Sequence, residues 1–227
     1  MTELITALDY SNEAEALETV RRIGDSGIWY KVGKELFTAA GPSVVMKLKE
    51  MGKKVFLDLK FHDIPNTVSK AIRSAAGIGA DLCNVHASGG RAMLTAAAEA
   101  ANEAGIRLVA VTVLTSMDAA ELASIGIVAT PQEQVLRLAK LTQACGVAGV
   151  VCSALELPAI RSECGRDFLT VVPGIRPAGS AADDQRRIMT PAKAAEAGAD
   201  LIVVGRPITK ADDPSAAAAA IRQELAR

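Results

Sequence analysis

Half of the 227 residues are apolar, enough for a sizeable buried core. The 25 Lys and Arg stand against 26 Asp and Glu, and a net charge of −1 supplies no global field for nucleic acid or an anionic membrane, so an anionic ligand must meet local charge. No window approaches the run of about 18 apolar residues that a bilayer span needs, and the opening MTELITALDY has no basic region before an apolar stretch, so the reading is a soluble protein of the cytoplasm.

In chain order, eight short apolar runs read as strands: LITALD, WYKVG, VFLDLK, LCNVHA, LVAVTVLT, GVVCSA, LTVVPGI and LIVVGR. Between them lie stretches rich in Ala, Glu, Lys and Arg with apolar residues at helical spacing. The first, SNEAEALETVRRIG, opens on Ser11 as a cap and closes at Gly24. Nearly continuous apolar strands alternating with amphipathic helices require a parallel sheet covered by helices. Eight such units predict an α/β fold closed into a (β/α)8 TIM barrel, compact against the usual length of about 250 residues. No linker, charge run or shift in composition marks a second domain, so residues 1–227 read as one catalytic barrel. The glycine-rich GIGADL at Gly77–Leu82 precedes a strand instead of following one, which makes it a helix terminus and not a dinucleotide fingerprint. Cys83, Cys145, Cys152 and Cys164 form no C-x-x-C pair and read as buried, reduced thiols.

In such a barrel function belongs at the carboxyl ends of the strands. Asp9 ends the first, Lys31 the second, Asp58 and Lys60 the third, Thr115 and Ser116 the fifth, and Gly205 and Arg206 the eighth. The strand period of two puts Asp58 and Lys60 on one face with Leu59 on the other. Singly, an Asp-x-Lys serves equally well as an ion pair sealing the barrel, and Lys31 as a snorkelling surface residue. Together they imply function, because burying two lysines with two or three carboxylates at one end costs several kcal/mol per ion. Across the mouth, VVGRPIT offers a glycine that lets a phosphate approach the backbone and an arginine fork to grip its oxygens. The segment PGIRPAGSAADDQRRIMTP exceeds the roughly 2–6 residues of an ordinary βα loop, and with Arg176 and Gln185 it reads as a lid able to close over an anion.

These motifs resemble a known family. ALDY, YKVG, DLKFHDIPNTV, VTVLTS, PGIRP and VVGRPIT, in that order and spanning almost the whole chain, look like bacterial orotidine 5′-phosphate decarboxylase. Asp58-x-Lys60-x-x-Asp63 with Lys31 upstream resembles that family's alternating Lys-Asp-Lys-Asp array. The resemblance implies a cofactor-independent decarboxylation of orotidine 5′-monophosphate to uridine 5′-monophosphate, the last step of de novo pyrimidine synthesis; no metal is expected, because Lys31 and Lys60 compete for the Asp58 and Asp63 carboxylates. It also implies a homodimer in which Asp63 and Thr67 reach into the neighbouring subunit's site. By the same resemblance, Lys60 donates the proton to C6, Lys31 holds the array and meets the ribose with Asp9, and Asp58 lies where the departing carboxylate would be. Thr115 matches a pyrimidine contact, Gln185 and Arg206 with the Gly205 backbone match the phosphate grip, and Arg176 falls in the ligand-binding loop.

Other readings are open at this stage. A magnesium-dependent 3-keto-L-gulonate-6-phosphate decarboxylase shares the barrel and a related third-strand motif, but needs a carboxylate near the second strand, where YKVGKELF offers Lys31 and places Glu35 only beyond it. A non-catalytic phosphosugar-binding barrel would keep Gly205 and Arg206 without the charged array. A Schiff-base aldolase would use Lys60, yet flanking Asp58 favours an ammonium, the wrong state for amine attack. The only histidines, His62 and His86, have no partner at metal-ligand spacing, and His86 reads as a hydrogen-bonded wall residue.

Overall fold

The alternation of apolar runs and amphipathic segments resolves into eight parallel strands in a computed structural model that describes residues 1–177 and 189–226. They are β1 (Glu3–Leu8), β2 (Trp29–Gly33), β3 (Lys54–Phe61), β4 (Leu82–His86), β5 (Arg107–Val111), β6 (Gly149–Val151), β7 (Leu169–Val172) and β8 (Leu201–Val204). Each pairs with the next, and β8 returns to β1 through Glu3 opposite Leu201, which closes the barrel. With helices between the strands this is the expected (β/α)8 fold. The glycine run at Gly77–Leu82 ends the Pro65–Gly77 helix ahead of β4, with Gly79 at φ +94°.

The period of two sorts the strand residues into two cores. Ile5, Ala7, Trp29, Phe56, Leu82, Val109, Val171, Leu201 and Val203 fill the barrel interior as one cluster. The intervening residues, among them Leu4, Leu8, Tyr30, Val32, Val55 and Leu57, face outward into a larger cluster with the helices. The inner faces of those helices complete it, as with Val20 and Ile23 of Glu13–Ile23 and Val68 and Ile72 of Pro65–Gly77. At the amino end of the barrel, Lys54 Nζ and the Arg107 guanidinium lie 5.3 and 4.9 Å from the centre of the Trp29 ring. Gly149 is required where β6 meets β7, since a Cβ there would stand 2.0 Å from the Leu169 carbonyl oxygen. All four cysteines are buried and free, as expected.

Two local expectations are corrected. The cap of the first helix is Asn12, whose side chain accepts from the Glu15 N–H at 2.9 Å; Ser11 lies one residue too early. Thr115 and Ser116 do not end the fifth strand, because β6 pairs only as far as Val151, opposite Val111. Thr112 donates both its N–H and its hydroxyl to the Val151 carbonyl, at 3.2 and 2.9 Å, and the ladder stops there. The apolar run LVAVTVLT continues beyond it because Val113 is still buried, so periodicity alone overshoots the hydrogen-bonded strand.

Arg161 ties the amino ends of β7 and β8 together. Its guanidinium donates to the carbonyls of Phe168 and Gly198 and to Asp200 Oδ2, each at 2.6 Å. Asp200 Oδ2 also accepts from the Thr170 N–H at 2.7 Å. Replacing Arg161 with methionine is expected to cost about 3 kcal/mol, since it removes the charged donor to the Phe168 and Gly198 carbonyls and leaves Asp200 with only its Thr170 donors. Thermal denaturation should show the midpoint lowered by about 6–12 °C.

Candidate active site

The carboxyl ends of β1, β2 and β3 bring four charged side chains into one connected group. Lys31 Nζ donates to Asp9 Oδ1 at 2.9 Å and faces Asp58 Oδ2 at 3.6 Å. Lys60 Nζ donates to Asp58 Oδ1 at 2.6 Å. The Lys31 and Asp58 side chains are each only 12% exposed, whereas Asp9 at 63% faces the opening. Asp58 is therefore a buried carboxylate clasped between two ammonium groups.

A side chain that motif reading missed completes the group. Asn84, at the middle of β4 and fully buried, donates its amide to Asp58 Oδ1 at 2.7 Å and accepts the backbone N–H of Lys60 at 2.8 Å. The available signal was a lone asparagine inside the apolar run LCNVHA, since a buried amide needs partners for both its donor and its acceptor. Burial pushes the Asp58 carboxyl up, but the charges of Lys31 and Lys60 and the hydrogen bonds from Lys60 and Asn84 outweigh it and hold the group below the usual aspartate value.

Asp58 and Lys60 meet as expected, though not by a regular pleat. Leu57 of β3 pairs with Cys83, and Phe61 pairs with Val85, so Asp58, Leu59 and Lys60 all stand opposite the single residue Asn84. Lys60 takes φ +55°, the one non-glycine residue in the left-handed region among those described. That conformation costs about 1–2 kcal/mol for a residue with a Cβ. Strain of this kind concentrates at functional sites.

Two adjoining cavities open beside the charged group. One, of about 200 Å³, has Lys31, Asp58 and Lys60 on one wall and Val111, Thr115, Val151, Cys152 and Pro173 on the other. Thr115, although outside β5, thus reaches the charged group's cavity. The second, of about 240 Å³, is lined by Asp9, Lys31, Arg176, Gly205 and Arg206, and Lys31, Pro173 and Val203 line both. A Cβ on Gly205 would find only ordinary contacts, 3.6 Å from Ala7 Cβ and from Asp9 Oδ2, so packing does not demand glycine there. Its open face leaves room for a ligand atom at the backbone. Arg176 is buried and its N–H bonds the Met189 carbonyl at 3.0 Å, while Arg206 begins the short Arg206–Thr209 helix with its side chain exposed.

Asp63 and Thr67 do not join the group within this chain. Both are exposed, and Asp63 Oδ1 accepts from the Ile64 N–H at 2.6 Å. Gln185 and residues 178–188, where the lid was expected, lie outside the described residues. His86 ends β4, half-buried, with its ring 5.5 Å from that of His62. Burial and the charges of His62, Lys34 and Lys60 push its imidazole below the usual value, against an opposing pull from Asp58.

Residues 2–221 match the family described as "Orotidine 5'-phosphate decarboxylase / HUMPS family". Over 227 residues the chain is 55% identical to the orotidine 5′-phosphate decarboxylase of Photobacterium profundum, covering 99% of this chain and 98% of that one. It is likewise 55% identical over 227 residues to the enzyme of that name from Chromohalobacter salexigens, covering 99% and 96%. Among solved structures, the orotidine 5′-phosphate decarboxylase of Lactobacillus acidophilus superposes with a TM-score of 0.90 at 42% identity, covering all of both chains. A conserved protein of Geobacillus kaustophilus described as uncharacterized gives 0.87 at 41% identity, covering 98% of this chain and 100% of that one.

The depressed Asp58 carboxyl has a consequence for acid stability. Its contribution is complete above the ordinary aspartate pKa and is lost as pH falls through the lower folded value. Carboxyl-carbon NMR should therefore show Asp58 titrating below the usual aspartate range. A midpoint at or above that range would mean that burial outweighs the two lysines.

Proposed function

The chain belongs to the orotidine 5′-phosphate decarboxylase / HUMPS family, and from that membership and the geometry of its mouth we propose that the barrel, as one catalytic domain, decarboxylates orotidine 5′-monophosphate to uridine 5′-monophosphate. The observation that carries this is the Lys31–Asp58–Lys60 group standing beside an apolar-walled cavity of about 200 Å³. The pyrimidine belongs in that cavity and the ribose phosphate in the adjoining one with Gly205 and Arg206.

Breaking the bond between C6 and the carboxylate releases carbon dioxide and leaves the electron pair on C6, in an in-plane orbital that the ring π-system cannot delocalise. The charge must then be met directly. The Lys60 ammonium does so by its field and then by transferring a proton to C6, forming the new C–H bond and regaining its own proton from solvent. Asp58 opposes the substrate carboxylate before reaction and is relieved as neutral carbon dioxide departs. Two unit charges about 4 Å apart interact by about 4 kcal/mol at an effective dielectric of about 20. That is small beside the ~23 kcal/mol or more that the slowest uncatalysed reactions require, so the ammonium field ranks first and ground-state repulsion second. Binding energy from the phosphate end holds the array against its own repulsions. Lys31 positions Asp58 and, with Asp9, meets the ribose. Thr115 contacts the ring, and Arg176 and Gln185 belong to the phosphate-side loop.

Because Lys31 and Lys60 already occupy the Asp58 oxygens, a divalent cation would have to displace one of them. We assign no metal or cofactor to the reaction. We further propose a homodimer in which the exposed Asp63 and Thr67 complete the neighbouring subunit's site, and a cytoplasmic location. No helix among the described residues is long and apolar enough to cross a membrane, which is compatible with that location.

Loss of orotidine monophosphate absorbance in excess chelator is the direct assay, and its absence would sink the reading. Lys60→Ala should lower kcat by about 1,000-fold or more, whereas Arg206→Ala should lower kcat/KM by about 10- to 100-fold through both a raised KM and a lower kcat, since the lost charged hydrogen bond also helps to hold the array. Mixing an Asp63-defective with a Lys60-defective chain should regenerate intact sites. A verified mixed dimer without recovered activity would refute the shared site.

A further inference from the structure

Among the described residues at the mouth of the barrel, Asn84 is a fully buried polar side chain that the mechanism above leaves without a task. We propose that Asn84 is a positioning residue for the decarboxylation, fixing the Lys60 ammonium and the Asp58 carboxylate relative to each other; this rests on the reaction proposed above.

Three observations converge on it. Where β3 bulges, three residues oppose Asn84 alone, so the strand ladder cannot supply a backbone partner for the Lys60 N–H. The Asn84 side-chain oxygen supplies it instead, at 2.8 Å. The same amide's nitrogen, through the other half of its hydrogen-bonding capacity, donates to Asp58 Oδ1 at 2.7 Å, the oxygen that also receives Lys60 Nζ at 2.6 Å. A single planar group thus sets both the left-handed backbone of Lys60 and the orientation of the carboxylate that its side chain meets.

Aspartate would reproduce the shape and the acceptor but not the donor, and would set a second negative charge against Asp58. Alanine would remove both hydrogen bonds. A regular strand at residue 60 would return the lysine to negative φ and swing its side chain away from the cavity, because the left-handed conformation is unfavourable without a bond that holds it. Displacements of about 1 Å at a reacting group cost about a hundredfold in rate.

The test compares wild type, Asn84→Ala and Asn84→Asp in steady-state decarboxylation of orotidine monophosphate, with uridine monophosphate affinity measured alongside. Asn84→Ala is expected to lower kcat about a hundredfold while KM and product affinity stay within about threefold, since the phosphate end is remote from the change. In Asn84→Asp the new carboxyl regains a donor when it is protonated, so its kcat relative to wild type should rise as pH falls. A purely structural role would not produce that profile. Asn84→Asp is nearly isosteric and carries the test if Asn84→Ala does not fold. The proposal is overturned if kcat of Asn84→Ala stays within about threefold of wild type, if kcat and product affinity fall together, if the Asn84→Asp profile matches wild type, or if neither variant folds. An inactive wild type sinks the reaction and this role with it; an active wild type with unaffected variants sinks the role alone.

Discussion

One carboxylate at the top of an apolar barrel governs the arrangement around it. Asp58 has lost most of its water, and an unpaired charge there would cost several kcal/mol. The fold meets that cost with two ammonium groups, at 2.6 and 3.6 Å from its oxygens, and an amide at 2.7 Å. The dependence runs both ways. Lys31 and Lys60 approach each other's field closely only because the negative charge lies between them, and Lys31 is further steadied by Asp9. Removing the central charge would leave two cations facing each other across a low-dielectric cavity.

The barrel makes such a group sustainable by separating where it packs from where it reacts. Its interior is filled by Ile5, Trp29, Phe56, Leu82, Val109 and Val171, so the strands cannot collapse inward when their ends carry charge. The amino end is tied by Arg161 and Asp200, far from the chemistry. The carboxyl end is then free to depart from regular geometry. There β3 gives up its ladder over three residues, and the lysine that needs an unusual backbone is held by a side chain from β4. Stability and reactivity therefore draw on different residues of the same eight strands.

In the proposed reaction the two adjoining cavities divide the substrate's work in the same spirit. An apolar wall of Val111, Val151 and Pro173 suits the flat ring, and Arg206 with the open Gly205 backbone suits the phosphate. Lys31 lines both, so on that proposal it links recognition at one end with the reacting charges at the other. Binding energy gained from a remote, unreactive phosphate can in this way be used to hold the array in an arrangement that favours the departing electron pair over the bound acid.

The fold and most of the charged group were legible in the residue order. Strand periodicity, alternation with helices and the need to cover both faces of a parallel sheet admit few architectures, and an ion-rich ending on an otherwise apolar strand is conspicuous against the cost of burying charge. Thus Asp9, Lys31, Asp58 and Lys60 could be read as neighbours before any coordinates. What required the tertiary structure were contacts between strands distant in sequence. Asn84 is separated from Lys60 by a helix, and only the register of β3 against β4 reveals that its amide replaces a missing ladder bond. The end of β5 at Val111, set by the short β6, was hidden because hydrophobicity continues where pairing stops. Residue order determined which charged groups are present and at which end of the barrel; strand register, a property of pairs and not of segments, decided how those groups are held.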